Sequence, residues 1–377
     1  MTRIAVDPGR VTGHLDRNVF GGFIEHLGRC IYGGIYDEGS PAADANGFRK
    51  DVLALLRDLR LGVLRWPGGN FVSNYHWADG IGPKDTRPRR PELAWGAEES
   101  NRFGTGEFLG YCAELGTEPY ICLNMGTGSL EEALAWIEYC NGTGQTHWAQ
   151  RRRENGHPAP YGVRYWGLGN EMYGDWQVGA LSAEEYVRTA TRWARAIKRL
   201  DPGAVLVSCG MNGWNDWDRV VIDGLAPLVD LHYYPVLLHA QAALDSAVDV
   251  WTDGPTVSPL GNGHHSRWSH RVADLGPFSL VDAAATVSAD RRRLALTLVN
   301  RSSDEPDTAQ IVLRDHAFDG PAGIRTVTAN SDPGARPLPG IEGVHLSEGS
   351  ETPDAHTVTL TLPPQSFTVV EAATTSR

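Results

Sequence analysis

Apolar positions along this chain follow one rhythm up to about residue 235 and another beyond it. In the first part, short apolar runs alternate with stretches of helical spacing. Val163, Tyr165 and Leu168 lie in one such run, which reads as a buried parallel strand ended by Gly169, and the polar pair Asn170-Glu171 follows. Phe23-Ile24 reads likewise and ends in Glu25 and His26. Val63 to Trp66 leads into the turn Pro67-Gly68-Gly69-Asn70, and Pro119 to Asn124, Ala204 to Ser208 and Leu228 to Tyr234 read as further strands. Between them the spacing predicts helices over Phe48–Leu61, capped by Gly62, over 107–115, closed by Gly116, and over Leu130–Cys140. A fourth begins at the capping box of Ser182 and Glu185 and breaks at Asp201-Pro202-Gly203. Six strands alternating with helices predict a parallel α/β sheet of the β/α-barrel kind, although such a barrel closes with eight.

The second rhythm begins after an alanine- and leucine-rich stretch, Val236–Val250, which reads as an amphipathic helix with Asp245 and Asp249 on its solvated face. A linker rich in Gly, Pro, Ser and His covers about 252–272. From about residue 278 the runs are short and alternating, as in Arg292–Val299, Ile311–Leu313, Thr357–Leu362 and Phe367–Val370, with turn residues between them. That alternation predicts an antiparallel β-sandwich, which buries one face of each strand. The expected organisation is an N-terminal strand segment (1–18) joining the sandwich, an incomplete β/α barrel (19–235), a helix and linker (236–277) and the C-terminal sandwich (278–377).

Charge and cysteine content narrow the function classes. Lys and Arg total 34 against 46 Asp and Glu, a formal charge of -12, which speaks against a nucleic-acid or anionic-membrane partner because phosphate binding needs clustered cations. The one basic run, Arg151–Arg153, reads as a solvated helix end answered by Glu154. The start of the chain lacks a charged segment followed by an apolar one, and no run approaches the length of a membrane span, so a soluble cytoplasmic protein is expected. Five widely spaced cysteines read as reduced thiols without zinc spacing. His264, His265 and His270 have no carboxylate or cysteine at ligand spacing, so neither metal nor cofactor is expected.

The chemistry concentrates at Glu171. At the carboxyl end of a parallel strand in a β/α protein, a carboxylate beside an amide that can hold a sugar hydroxyl is a candidate general acid/base. Gly22-Phe-Ile-Glu-His-Leu-Gly28, Arg65-Trp-Pro-Gly-Gly-Asn70, Trp95-Gly96, Gly167-Leu-Gly-Asn-Glu-Met172 and His232-Tyr-Tyr234, in that order, resemble the α-L-arabinofuranosidases of glycoside hydrolase family 51. The resemblance implies a retaining exo-glycosidase, built from a β/α barrel and a β-sandwich, that removes terminal L-arabinofuranosyl groups without a cofactor. It assigns Glu171 as acid/base and Asn170 as the contact to the sugar 2-hydroxyl. Glu25, Arg65, Asn70, His232 and Tyr234 would hold the sugar or steady the carboxylates, with Trp95 as a wall of the pocket. The family is commonly oligomeric, which makes a homo-oligomer an expectation.

The resemblance breaks after the sixth strand. The family has two more βα units there, and the seventh strand ends in the glutamate that attacks the anomeric carbon. Here Leu231-His-Tyr-Tyr234 joins directly to Pro235-Val-Leu-Leu-His-Ala240, which resembles the family sequence after the eighth strand, and no glutamate occurs between Glu185 and Glu305. The nucleophile is therefore expected to be absent. The join falls at a Tyr-Tyr pair shared by both flanking segments, as a deletion between similar stretches would leave. The alternative expectation is a catalytically inactive sugar-binding remnant or an unstable truncated product.

Overall fold

The computed structural model describes all residues except 212–214, 227, 234–243, 258–277, 329–335, 338–343 and 377. Two compact units divide the chain: Arg17–Ala240, and Met1–Asp16 together with Gln241–Arg377.

The first unit is built on a parallel sheet of six strands in chain order: β2 (Gly22–Phe23), β3 (Val63–Trp66), β6 (Glu118–Leu123), β7 (Tyr165–Leu168), β8 (Val205–Cys209) and β9 (Leu231–Tyr233). β1 (Thr2–His14) belongs to the other unit, and β4 (Arg90–Pro91) and β5 (Glu98–Glu99) form a separate antiparallel pair. The helices are α1 (Lys50–Leu59), α2 (Thr105–Leu115), α3 (Leu130–Asn141), α4 (His147–Glu154), α5 (Ala183–Leu200) and α6 (Asp216–Leu225). Parallel pairing requires the chain to cross back between strands, which is what these helices do.

α5 shows why the arrangement holds. Its buried residues Tyr186, Ala190, Trp193, Ala194 and Ile197 recur every three or four positions, so one stripe meets the sheet. Ser182 and Glu185 cap its start reciprocally. The Tyr186 hydroxyl donates to Leu168 O at 2.7 Å and accepts from Cys209 N at 2.8 Å, so one phenol ties the carboxyl ends of β7 and β8 together. Around them Trp66, Trp77, Trp136 and Trp166 are fully buried. Each such aromatic stabilises the fold by roughly 1.5–3 kcal/mol through the apolar surface it removes from water.

In the second unit, β1 lies between Asp307–Leu313, which it pairs in parallel, and β10 (Ser246–Asp253), which it pairs antiparallel. The strands Val281–Val287, Arg293–Asn300, Ser366–Ser376 and Ala322–Thr328 continue the sheet beyond β10, all antiparallel. Ile4, Val6, Val248, Leu294, Leu296, Leu298, Ile311 and Val370 share one apolar core, as a sandwich of alternating strands requires.

Three local expectations are corrected. The helix expected over Val236–Val250 is not what Ser246–Val250 forms: these residues belong to β10, because Val248 and Val250 alternate into the core beside Ile4 and Val6, and strand pairing overrides the alanine-rich helical spacing. Asp249 pairs with Arg10 at 3.0 Å, and residues 236–243 lie outside the described residues. α1 is closed by Arg60 in the left-handed conformation (φ 50°), not by Gly62, whose missing side chain makes room for the Arg17 carbonyl. Arg152 is fully buried: Nη1 donates to Tyr139 O and Gly142 O, both at 2.9 Å, and Nε to His157 O at 3.1 Å. The middle arginine of the basic run therefore satisfies carbonyls around the end of α3, and Arg151 meets Glu154 at 3.2 Å on the exposed side.

Candidate active site

The carboxyl ends of β2, β3 and β7 bring four of the expected residues into one polar group. Arg65, on β3, is buried with its guanidinium over the rings of Phe23 (4.9 Å) and Tyr120 (5.5 Å). The Tyr120 side chain reaches along β7 to Gly167, two residues past its register partner Tyr165, where a Cβ would lie 2.7 Å from the hydroxyl. Arg65 Nη2 donates to Asn170 Oδ1 at 2.9 Å and reaches Cys122 Sγ at 3.4 Å. Asn170 Nδ2 in turn faces Asn70 Oδ1 at 3.5 Å.

Glu25, just past β2, is buried, and its Oε1 accepts the backbone N–H groups of Gly69 (2.8 Å) and Phe71 (3.1 Å). The turn is shaped around that carboxylate. A Cβ on Gly68 (φ 154°) would stand 2.5 Å from Glu25 Cγ. Gly69 lies between Glu25 and Asn170: a Cβ there would be 3.4 Å from Glu25 Oε1 and 3.5 Å from Asn170 Nδ2.

Glu171 has φ 43°, a left-handed conformation that costs a non-glycine residue about 1 kcal/mol. Its Oε2 accepts the indole N–H of Trp176 at 3.0 Å, and it is half-buried. The Tyr173 phenol is pushed well above its ordinary pKa, first by burial and then by the Glu171 charge, so it remains a neutral O–H beside the acid. Its ring meets Trp176 and Trp217 edge-on. The sequence pattern does not single out Trp176 or Tyr173; the one available signal is an aromatic five residues beyond a strand-end acid, in Gly174-Asp-Trp176.

Trp95 stands in the loop of the β4–β5 hairpin and is 43% exposed. Glu92 accepts the N–H groups of Ala94 and Trp95, each at 2.6 Å, which sets the bend. His232 lies in β9, in register with Ser208, with its side chain not described, and Tyr234 falls outside the described residues. Among the described residues no three His, Cys, Asp or Glu converge as a metal site, and His264, His265 and His270 lie outside them.

An acid and an amide at the end of β7, an arginine and a second amide at the end of β3 and a buried carboxylate just past β2 are the kinds of group that a glycoside hydrolase gathers at the carboxyl end of its sheet. A family model described as "Alpha-L-arabinofuranosidase 1 domain" matches residues 55–251. This chain belongs to the α-L-arabinofuranosidases of glycoside hydrolase family 51.

The "Probable alpha-L-arabinofuranosidase C" of Aspergillus flavus is 52% identical over 256 residues, 65% of this chain and 51% of that protein. The "Intracellular exo-alpha-(1->5)-L-arabinofuranosidase 1" of Bacillus subtilis is 43% identical over 240 residues, 62% of this chain and 48% of the relative. The chain thus spans about half the length of the curated relatives it matches. A solved α-L-arabinofuranosidase from Thermotoga maritima, in complex with arabinose, superposes with a TM-score of 0.85 at 32% identity, covering 99% of this chain and 100% of that one.

Proposed function

We propose that this chain recognises a terminal, non-reducing α-L-arabinofuranosyl group and that Glu171 is the general acid/base for its hydrolysis. The observation that carries the reading is the Arg65–Asn170–Asn70 chain beside Glu171 at the sheet's carboxyl edge. Arg65 occupies the amide oxygen of Asn170, so the amide presents its NH2 as a donor next to the acid. A sugar hydroxyl accepting from that NH2 would set the glycosidic oxygen within reach of Glu171. Glu171 would donate a proton to the leaving oxygen and later take one from water.

Cleavage with retention also needs a second carboxylate, about 5–5.5 Å from the first, to attack the anomeric carbon. Glu25 is the other strand-end glutamate, and its Oε1 is committed to two backbone N–H groups, which suits holding a sugar better than attack. No glutamate lies between Glu185 and Glu305, and residues 234–243 contain no carboxylate. This favours a second reading: a site that binds and can protonate but does not form the glycosyl-enzyme. By the family resemblance, Glu25, Arg65, Asn70, His232 and Tyr234 are proposed to hold the sugar or steady the carboxylates, Asn170 to meet the sugar 2-hydroxyl and Trp95 to form a wall of the pocket.

The five free cysteines and the intracellular B. subtilis relative support a cytoplasmic location. No described helix is long and apolar enough to cross a membrane. A homo-oligomer is proposed by family resemblance alone.

The deciding experiment is release of p-nitrophenol from p-nitrophenyl α-L-arabinofuranoside by wild type, Glu171→Ala and Glu25→Gln. Turnover lost in Glu171→Ala supports the enzymatic reading. Saturable sugar binding without turnover supports the second reading, and a folded protein with neither defeats both.

A further inference from the structure

We propose that His26 and Glu99, a buried pair outside the residues assigned above, are positioning residues that lock the Trp95 hairpin to the Glu25 turn. The inference deepens the proposed function and rests on it for the role of Trp95 as a pocket wall.

His26 directly follows Glu25, and both side chains are buried beneath the same turn. The Trp66 indole N–H donates to His26 Nε2 at 3.1 Å, so that nitrogen is the acceptor and the ring proton sits on Nδ1. The ring stacks on Phe71 at 4.4 Å, and Phe71 is one of the two residues whose N–H holds Glu25. Nδ1 lies 2.8 Å from Glu99 Oε2, with its N–H bent off the ideal line.

Glu99 is the last residue of the hairpin that carries Trp95. Its other oxygen, Oε1, accepts the Tyr32 hydroxyl in a short hydrogen bond and the Asn101 N–H at 2.6 Å. Tyr32 oxygen then accepts the Phe103 N–H at 3.2 Å, extending the network past the hairpin. Glu92, which sets the bend at Trp95, and Glu99 line one small cavity together with Phe71, Asn74 and Tyr75, so the hairpin packs against the turn that cradles Glu25.

The β4–β5 ladder is only two residues long on each strand. Such a hairpin has little stability of its own, and its direction must come from side-chain anchors. Glu99 is buried and charged; it accepts from the Tyr32 loop and from its own hairpin exit and lies 2.8 Å from His26 Nδ1 beside the turn, so a lateral shift of Trp95 would disturb all three contacts at once.

The test is a double-mutant cycle with Glu99→Gln and Trp95→Ala, read by calorimetric titration with the uncleavable p-nitrophenyl 1-thio-α-L-arabinofuranoside and by hydrogen exchange over residues 90–99. Glu99→Gln is expected to weaken binding roughly tenfold or more, the scale of a lost bond to a charged group, and to speed exchange in the hairpin. In the Trp95→Ala background the same change should add little, because it acts through Trp95.

Losses that multiply, or unchanged hairpin exchange, overturn the proposal. Tyr32→Phe, which removes one donor but keeps the carboxylate, is expected to give a smaller effect of the same sign should Glu99→Gln fail to fold. A wild type that does not bind the thioglycoside defeats the proposed function alone, and the exchange measurement still decides whether Glu99 anchors the hairpin.

Discussion

Arg65 Nη2 donates to Asn170 Oδ1 at 2.9 Å, and this contact determines which face the Asn170 amide offers its surroundings. The guanidinium can only donate, so the amide oxygen turns toward it and the NH2 toward Asn70. Replacing Asn170 by Asp separates the two consequences. The carboxylate pairs with Arg65, so the melting temperature should hold or rise. The NH2 donor is gone, so affinity for an arabinofuranoside should fall at least about tenfold. Calorimetric titration beside a thermal melt checks both, and unchanged affinity would remove Asn170 from the proposed sugar contacts.

Gly68 makes a sharper demand than its neighbour. A Cβ at Gly68 meets Glu25 Cγ at 2.5 Å and φ is 154°, whereas at Gly69 the nearest atoms lie 3.4–3.5 Å away. Gly68→Ala should therefore cost about 1–3 kcal/mol and displace Glu25, and Gly69→Ala should cost less than about 1 kcal/mol. Urea midpoints of the two variants test the ordering; equal losses would mean that the turn moves freely around Glu25.

Arg152 donates to three carbonyls, two at the end of α3 (Tyr139 and Gly142) and one just beyond α4 (His157). Arg152→Ala should destabilise the protein by roughly 2–4 kcal/mol, because buried acceptors lose their donors. Arg152→Lys should recover little of this, since an ammonium cannot reproduce a planar fork reaching several carbonyls. Chemical denaturation of both variants is the check, and full rescue by lysine would contradict the geometry.

Acid should release the Glu99 network. Burial alone would raise the Glu99 pKa, but His26, the Tyr32 hydroxyl and the Asn101 N–H together bring it below the ordinary carboxylate value. A depressed carboxylate contributes stability that is present above its unfolded pKa, about 4.3, and is lost as pH falls through the lower folded value. The stability gap between wild type and Glu99→Gln should thus be widest near pH 7 and narrow below about pH 4. Denaturation series at several pH values measure it, and a gap that widens in acid would reverse the assigned sign.

Much of the parallel sheet and of the site is legible in the residue pattern alone. The six strands and the strand-end placement of Glu25, Arg65 and Glu171 follow from local periodicity and from glycine turns, which act within a few residues. The local errors have a common cause. Val248 and Val250 read as helical because alanine and leucine surround them, and they are strand because Ile4 and Val6, more than two hundred residues earlier, supply a pairing edge and a core. Arg152 reads as solvated because its neighbours are charged, yet it is buried by carbonyls at the end of another helix. Trp176 and Tyr173 carry no motif, and they meet Glu171 only because the loop after β7 folds back onto it.

Residue spacing alone was thus enough for the alternating strands and helices of the parallel sheet, for the polar residues at its strand ends and for membership of the arabinofuranosidase family. These are written in spacing and residue type along the chain. The direction of the Asn170 amide, the two backbone donors on Glu25 and the meeting of His26 with Glu99 beneath the hairpin came into view with the folded chain alone. Each of these is a contact between residues distant in sequence, and hydrogen-bond direction depends on where folding places the partner rather than on the residues beside it.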